Sequence, residues 1–233
     1  SHGDTDDRVS IEPETQGFYN AGHIHYQFQL FDEQSNKAIT DKDLTDTHTK
    51  LVHVIAYDAS RNVFNHVHPQ FSNDRWTTDL NLENNGSYFV WAQRQLHDGT
   101  DFSSLLRIQI TNGKNEIPST PLQDIRSAID GNSKIELDNT KIRAGKMAML
   151  NYKITRTDGS APLITPYLGA MAHIIAVSPD GDDLIHVHPM SGNTDNTGMI
   201  HATFPTAGDY RVWIQFNDHD ELKTMALSIR VTK

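Results

Sequence analysis

Residues 51–57 read Leu-Val-His-Val-Ile-Ala-Tyr, apolar on both faces if extended, and residues 171–177 read Met-Ala-His-Ile-Ile-Ala-Val, apolar in the same way. Both runs suit a central strand buried on two sides. A second pair, Tyr88–Gln93 and Tyr210–Gln215, carries Tyr-x-Val-Trp-x-Gln in both places. Between the apolar runs lie the turn formers "ASRN", "PDGDD", "ENNG", "PTAG" and "HDGTD", which cut the chain into short strands. No amphipathic stretch of useful helical length interrupts them. About seven strands per 100 residues is the density of a β-sandwich.

The paired runs belong to a longer internal repeat. Residues 51–69 overlie 171–189 without a gap, and 84–98 overlie 206–220, again ungapped. Upstream, "AGHIHYQFQLFD" (21–32) is set against "AGKMAMLNYKIT" (144–155), which places His23-Ile24-His25 on Lys146-Met147-Ala148. The polar, turn-rich segment 113–132 has no counterpart and reads as a linker, with a short helical turn expected near Leu122–Ala128. The expected organisation is a first sandwich over 8–112, the linker, and a second sandwich over 133–233. In each copy a glycine and then a tyrosine open a strand, Gly86 with Tyr88 and Gly208 with Tyr210. This resembles the tyrosine corner of immunoglobulin-like domains. The fold class is therefore all-β, two tandem immunoglobulin-like or cupredoxin-like β-sandwich domains related by duplication.

The tetrapeptide with the clearest chemistry is His-Val-His-Pro, at 66–69 and again at 186–189. Four histidines recur between the copies: His53, His66, His68 and His97 answer to His173, His186, His188 and His219. Side chains two apart on a strand share a face, so His66 and His68 point together. If the central strand 51–57 (strand C) and the short strand ending in His66-Val67-His68 (strand C′) pair so that residue numbers sum to 119 or 121, His53 joins them. His97, in the turn that follows the strand opened by Tyr88 (the F–G turn of an immunoglobulin-like order), is expected at the same end of the sheet. Three or four imidazoles so placed can hold one ion at about 2 Å. Gln93 and Gln215 are candidates to orient an imidazole from outside. His23, His25 and His48 are extras of the first copy, for a weaker site or for the surface.

Composition narrows the metal. The chain has no cysteine among 233 residues, which removes disulfides, thiolate zinc sites and the thiolate of blue copper. Nitrogen ligands point away from calcium and magnesium and leave zinc, copper, nickel or iron, of which a copper or zinc ion is the expected cofactor. All six methionines lie in the second copy, and Met171 and Met190, each two residues from a repeated histidine, lean toward copper. Met147, Met149 and Met225 read instead as fillers of core gaps. A net charge of −10 argues against nucleic acid or an anionic membrane surface as partner, and no apolar run is long enough to span a bilayer. Trp91 and Trp213 face outward if Tyr88, Val90 and Ala92 face inward. They then either pack within their own domain or pair the two sheets, domain to domain or in a homodimer.

The serial pattern Ala-His-x12-His-x-His-Pro followed by Gly-x-Tyr-x-Val-Trp-x-Gln resembles a group of exported bacterial β-sandwich proteins without a firmly assigned activity. The resemblance rests most on "YLGAMAHIIAVSPDGDDLIHVHP" (167–189) and weakens at "DTHTKLVH" (46–53). It implies metal handling in the periplasm or outside the cell, a signal peptide having been removed. A metal-dependent enzyme is the alternative, since cupins also use His-x-His in tandem copies, but the glutamate of their motif is missing after Pro69 and Pro189. A structural or adhesive tandem sandwich is the third reading. The sequence favours sequestration or delivery of the metal, with no catalytic residue assigned.

Overall fold

The computed structural model describes residues 8–15, 17–45 and 52–233. The chain divides into two compact units, 2–120 and 121–233. The first contains β1 (Val9–Pro13), β2 (Phe18–Asn20), β3 (Gly22–Asp32), β4 (Lys37–Ile39), β5 (His53–Asp58), β6 (Phe64–Val67), β7 (Gln70–Ser72), β8 (Arg75–Leu82), β9 (Gly86–Gln95) and β10 (Asp101–Thr111). One sheet runs β1-β3-β8-β7 with β4 beside β3, and the other runs β2-β10-β9-β5-β6. Strand β2 lies parallel to β10, and the other pairs are antiparallel. This is the A-B-E-D and A′-G-F-C-C′ order of an immunoglobulin-like sandwich.

The second unit repeats it. Its strands are β11 (Ser127–Asp130), β12 (Ser133–Leu137), β13 (Ile142–Arg143), β14 (Met147–Arg156), β15 (Ile164–Thr165), β16 (His173–Val177), β17 (Leu184–Ile185), β18 (Val187–Ser191), β19 (Thr197–Thr203), β20 (Gly208–Asp218) and β21 (Glu221–Thr232). They form β11-β12-β14-β19-β18 and β13-β21-β20-β16-β17, with β15 beside β20 and β13 parallel to β21.

Alternation with period two builds each core. In the first unit Ile24, Tyr26, Phe28 and Leu30 of β3 face Val54, Ala56, Tyr88 and Val90 of the opposite sheet, all buried. In the second, Ala148, Leu150, Tyr152 and Ile154 of β14 face Tyr210, Val212 and Ile214. Each large side chain so buried contributes roughly 1.5–3 kcal/mol before entropy is counted. The tyrosine corner is present twice. Tyr88 Oη donates to the Asn84 carbonyl at 2.9 Å, and Tyr210 Oη to that of Thr206 at 2.7 Å. Gly86 and Gly208, at φ 122° and 139°, open these strands in a backbone region that side chains rarely enter.

Two expectations change. Matching the alanine-glycine pairs of 21–32 and 144–155 puts Ile24 against Met147, yet Ile24 is buried and Met147 is exposed. The ladders to β8 and β19 shift the correspondence by one residue, so that His23 matches Met147 and His25 matches Met149. A slip of one residue exchanges the faces of a strand. The expected linker is also shared out between the units. Lys114 and Asn115 bind back to Asn84 and Asn85. Farther on, Ile125 bridges to Ser228 and β11 pairs with β12, so 122–128 is extended backbone where a helical turn was expected.

Candidate metal centre

The hairpin of β5 and β6 is fixed first by its turn. Asp58 ends β5 and is buried; its carboxylate accepts the N–H groups of Asn62 at 2.9 Å and Val63 at 3.0 Å and the Ser60 hydroxyl at 2.5 Å. The strands then pair Tyr57 with Phe64, Ile55 with His66 and Val54 with Val67, a register in which residue numbers sum to 121. Val54 and Val67 go to the core. His53, Ile55 and His66 therefore project from the outer face of the sheet.

There three imidazoles converge. His53 Nδ1 lies 2.9 Å from His66 Nε2 and 3.3 Å from His68 Nε2. The ring centroids are 5.2 Å apart for His53 and His66, and 4.8 Å for each of the other two pairs. All three side chains are half-buried, and among the described residues they form the one group of three or more His, Asp or Glu donors lying within 4.8 Å of one another. A tetrahedral ion with bonds of about 2.0–2.1 Å sets neighbouring nitrogens roughly 3.3 Å apart; the 3.3 Å separation matches this, and the 2.9 Å one is at hydrogen-bond distance and would open slightly to admit the ion. Neutral imidazoles are needed for this, since a protonated ring offers no lone pair. No carboxylate joins the group among the described residues.

Gln93 stands directly across the ladder from His53. Its Nε2 donates to Ser103 Oγ at 2.9 Å, which leaves its carbonyl oxygen for an imidazole N–H. On the same outer face Ile55, Tyr57 and Trp91 are fully buried. The Trp91 indole N–H donates to Tyr57 Oη at 3.0 Å, a partner in its own sandwich, and in the second unit the Arg211 guanidinium lies 6.0 Å from the Trp213 ring. Leu51 and His48 fall outside the described residues.

The other repeated histidines go elsewhere. His97 is not brought to the cluster. Its Nε2 is 2.5 Å from the Lys42 carbonyl, and its N–H donates to that of Asp43 at 3.1 Å. His219 does the same in the second unit, with Nε2 3.0 Å from the Ala161 carbonyl and N–H 2.9 Å from that of Leu163. In both copies the F–G histidine clasps the loop that leaves the opposite sheet. His173 Nε2 lies 2.5 Å from the Tyr167 carbonyl, and the Tyr167 ring stands edge-on at 5.5 Å. That carbonyl is presented by the turn Tyr167–Ala170, tightened by Leu168 and Gly169 at φ 49° and 84°. Gln215, across from His173, gives its amide N–H to Thr224 Oγ1 at 3.0 Å.

His186 and His188 also part from the first copy's pattern. The β16–β17 ladder ends at Ala176 with Ile185, and from Val187 the chain pairs with β19 of the other sheet, setting His188 against His201. Their rings touch at 4.1 Å, but they do not form a triad with His173. Of the extras, His23 Nε2 and His25 Nδ1 lie 3.3 and 3.2 Å from one Asp79 oxygen on an exposed surface. The hydrogen bond from His25 holds the Asp79 carboxyl below its usual range. Sequence spacing alone does not reveal Ser103, Tyr167 or His201. His201 becomes visible only once β18 and β19 are paired.

Residues 127–233 match a domain of unknown function (DUF8832). No curated protein matches. Among solved structures, the filamin domain of Lin-41 is 14% identical with a TM-score of 0.32, covering 45% of this chain and 96% of that one. The Escherichia coli adhesin FdeC is 11% identical with a TM-score of 0.30, covering 100% of this chain and 65% of that one. A pair of tandem immunoglobulin domains of titin is 13% identical with a TM-score of 0.25, covering 96% of each chain. Among the described residues no helix is long and apolar enough to cross a membrane.

Proposed function

We propose that this chain holds a zinc or copper ion outside the cytoplasm through His53, His66 and His68, for sequestration or delivery and without catalytic turnover. The observation that carries the reading is the pair of nitrogen separations, 2.9 and 3.3 Å, meeting at His53 Nδ1. Three protein nitrogens leave a fourth coordination position open, which suits an ion that must be handed on. The cysteine-free composition agrees with an oxidising compartment. A hydrolytic reading would fill the open position with water, but it needs a base, and no carboxylate belongs to the donor group among the described residues.

A second reading, a structural or adhesive tandem sandwich, is favoured by a different observation. His97, His173 and His219 each meet a backbone carbonyl with a ring nitrogen, so repeated histidines serve the architecture here. Elemental analysis after equilibration with zinc separates the two. The metal reading expects about one ion per chain, lost in His66→Ala/His68→Ala and kept in His186→Ala/His188→Ala. A wild type free of zinc at micromolar concentration leaves the structural reading.

A further inference from the structure

Four of the six methionines lie on one face of one sheet, and that face looks away from the core. On β14 the even residues Ala148, Leu150, Tyr152 and Ile154 are buried, so Met147 and Met149 point outward, 62% and 54% exposed. On β19 Gly198, Ile200 and Ala202 point inward, and Met199 and His201 outward. The ladders bring these positions into rows. Met149 faces His201, and His201 faces His188; in the next row Asn151 faces Met199, and Met199 faces Met190, which is 50% exposed. Facing residues on adjacent strands have Cβ atoms about 4.5–5.5 Å apart, and diagonal ones are still within reach of long side chains. The Thr203 hydroxyl reaches the Met147 sulfur at 3.8 Å, so that thioether lies along this surface.

An outward sheet face normally reads as polar. Met147 and Met149 were expected in the core, where only Met225 of that group is found, fully buried. The first sandwich sharpens the contrast. By ladder position His23, His25 and Asp79 occupy the places of Met147, Met149 and His201, and there the histidines are matched by the carboxylate. In the second sandwich the face keeps imidazoles, has no carboxylate in these rows, and gains sulfur.

We infer that the outer face of β14, β19 and β18 is a second metal site, selective for copper(I), with the thioethers of Met149, Met190 and Met199 and the imidazoles of His188 and His201 as its ligands. Thioether sulfur is a soft donor that selects the cuprous ion over zinc, and methionine is flexible enough to close on an ion from an open sheet. The site does not depend on His53, His66 and His68. It also gives the second His-Val-His-Pro a use different from the first, because His188 reaches this face only by joining β18.

The test uses the full chain carrying His53→Ala, His66→Ala and His68→Ala, so that the first site is silent. Anaerobic titration with copper(I) against bathocuproine disulfonate should show about one copper(I) withdrawn per chain, with zinc not competing. Adding Met149→Leu, Met190→Leu and Met199→Leu, near-isosteric changes on an exposed face, should weaken that binding by about tenfold or more. X-ray absorption at the copper edge reads the ligands directly and is independent of any effect on folding. Sulfur in the first shell is expected. A first shell of nitrogen and oxygen alone, copper(I) uptake unchanged by the three leucines, or no uptake at all would overturn the assignment.

Discussion

The same four residues, His-Val-His-Pro, end up on different sheets in the two sandwiches. In the first, β6 stays with β5 through Val67, and β7 begins only at Gln70. In the second, β17 leaves after Ile185 and β18 is already paired at Val187. The handover comes three residues earlier, counted on matched positions. Two local differences accompany it. Ile185 is buried in the second core where Asn65 is half-buried in the first, which draws the strand inward. The hairpin after β7 turns through Asn73 and Asp74 alone, both at positive φ, whereas residues 192–196 join β18 to β19. Pro189 lies within edge strand β18, where a missing N–H is tolerated. The use that a His-x-His pair finds on a strand thus depends on how far its ladder runs as much as on its letters.

The two interiors differ most at Asp218, which matches Leu96 of the first sandwich. Leu96 is an apolar core residue, while Asp218 is fully buried and bound to Ser133 Oγ at 2.6 Å, the Leu163 N–H at 2.9 Å and the Arg156 guanidinium at 2.9 Å. Removing one partner of a buried pair costs about 3–5 kcal/mol. Asp218→Ala should lower the unfolding midpoint of the second sandwich accordingly, as read in urea; a change under half of that would mean the pair carries little. Burial pushes the Asp218 carboxyl up, but Ser133, the Leu163 N–H and Arg156 outweigh it, and the net shift is downward. Its contribution is therefore present above the ordinary carboxylate range of about 3.9 and lost as pH falls through its lower folded value. Acid should therefore weaken the second sandwich through Asp218, a loss that Leu96 spares the first at the matched position, although Arg8 holds Asp32 and Asp98 of the first below the usual range as well.

Next comes the ligand set. Loss of a group that merely orients a ligand costs about 10–100-fold in metal affinity, so His53→Ala should cost at least that in zinc titrations, and His173→Ala should cost nothing. Equal losses would erase the distinction between the copies. Gln93→Ala should fall near the low end, about tenfold, with Gln215→Ala neutral in the same titration. The smallest effect is at the tyrosine corners. Tyr88→Phe removes one hydrogen bond, to the Asn84 carbonyl, and should cost about 0.5–1.5 kcal/mol. Tyr210 Oη also accepts the Thr206 N–H at 3.1 Å, so Tyr210→Phe should cost more; equal values in calorimetry would show that this extra bond contributes nothing.

Much of this was readable from the chain because it follows from period two. The inward set Tyr88, Val90 and Ala92 gave the outward position of Trp91 and Gln93, and the central strand 51–57 gave the place of His53. The summed register of β5 and β6 was one of two expected, and the tyrosine corners stand where their glycines announced them. What could not be read depends on contacts distant in sequence. Nothing near His97 tells that its ring is taken by Lys42, 55 residues away. The alanine-glycine match at 21–22 and 144–145 misled by one residue, and that single step hid the correspondence of His25 with Met149. Methionine is apolar by composition, so only the ladder reveals that Met147 and Met149 face solvent.

Our proposal is that the first His-Val-His-Pro, with His53, is the copy that holds the metal ion. Its most direct test is anomalous diffraction at the zinc edge from crystals of the full chain grown with one equivalent of zinc. One strong peak is expected about 2 Å from nitrogens of His53, His66 and His68, and none at His173. A peak shared by His173, His186 and His188, or no ordered zinc in the first sandwich, would contradict it.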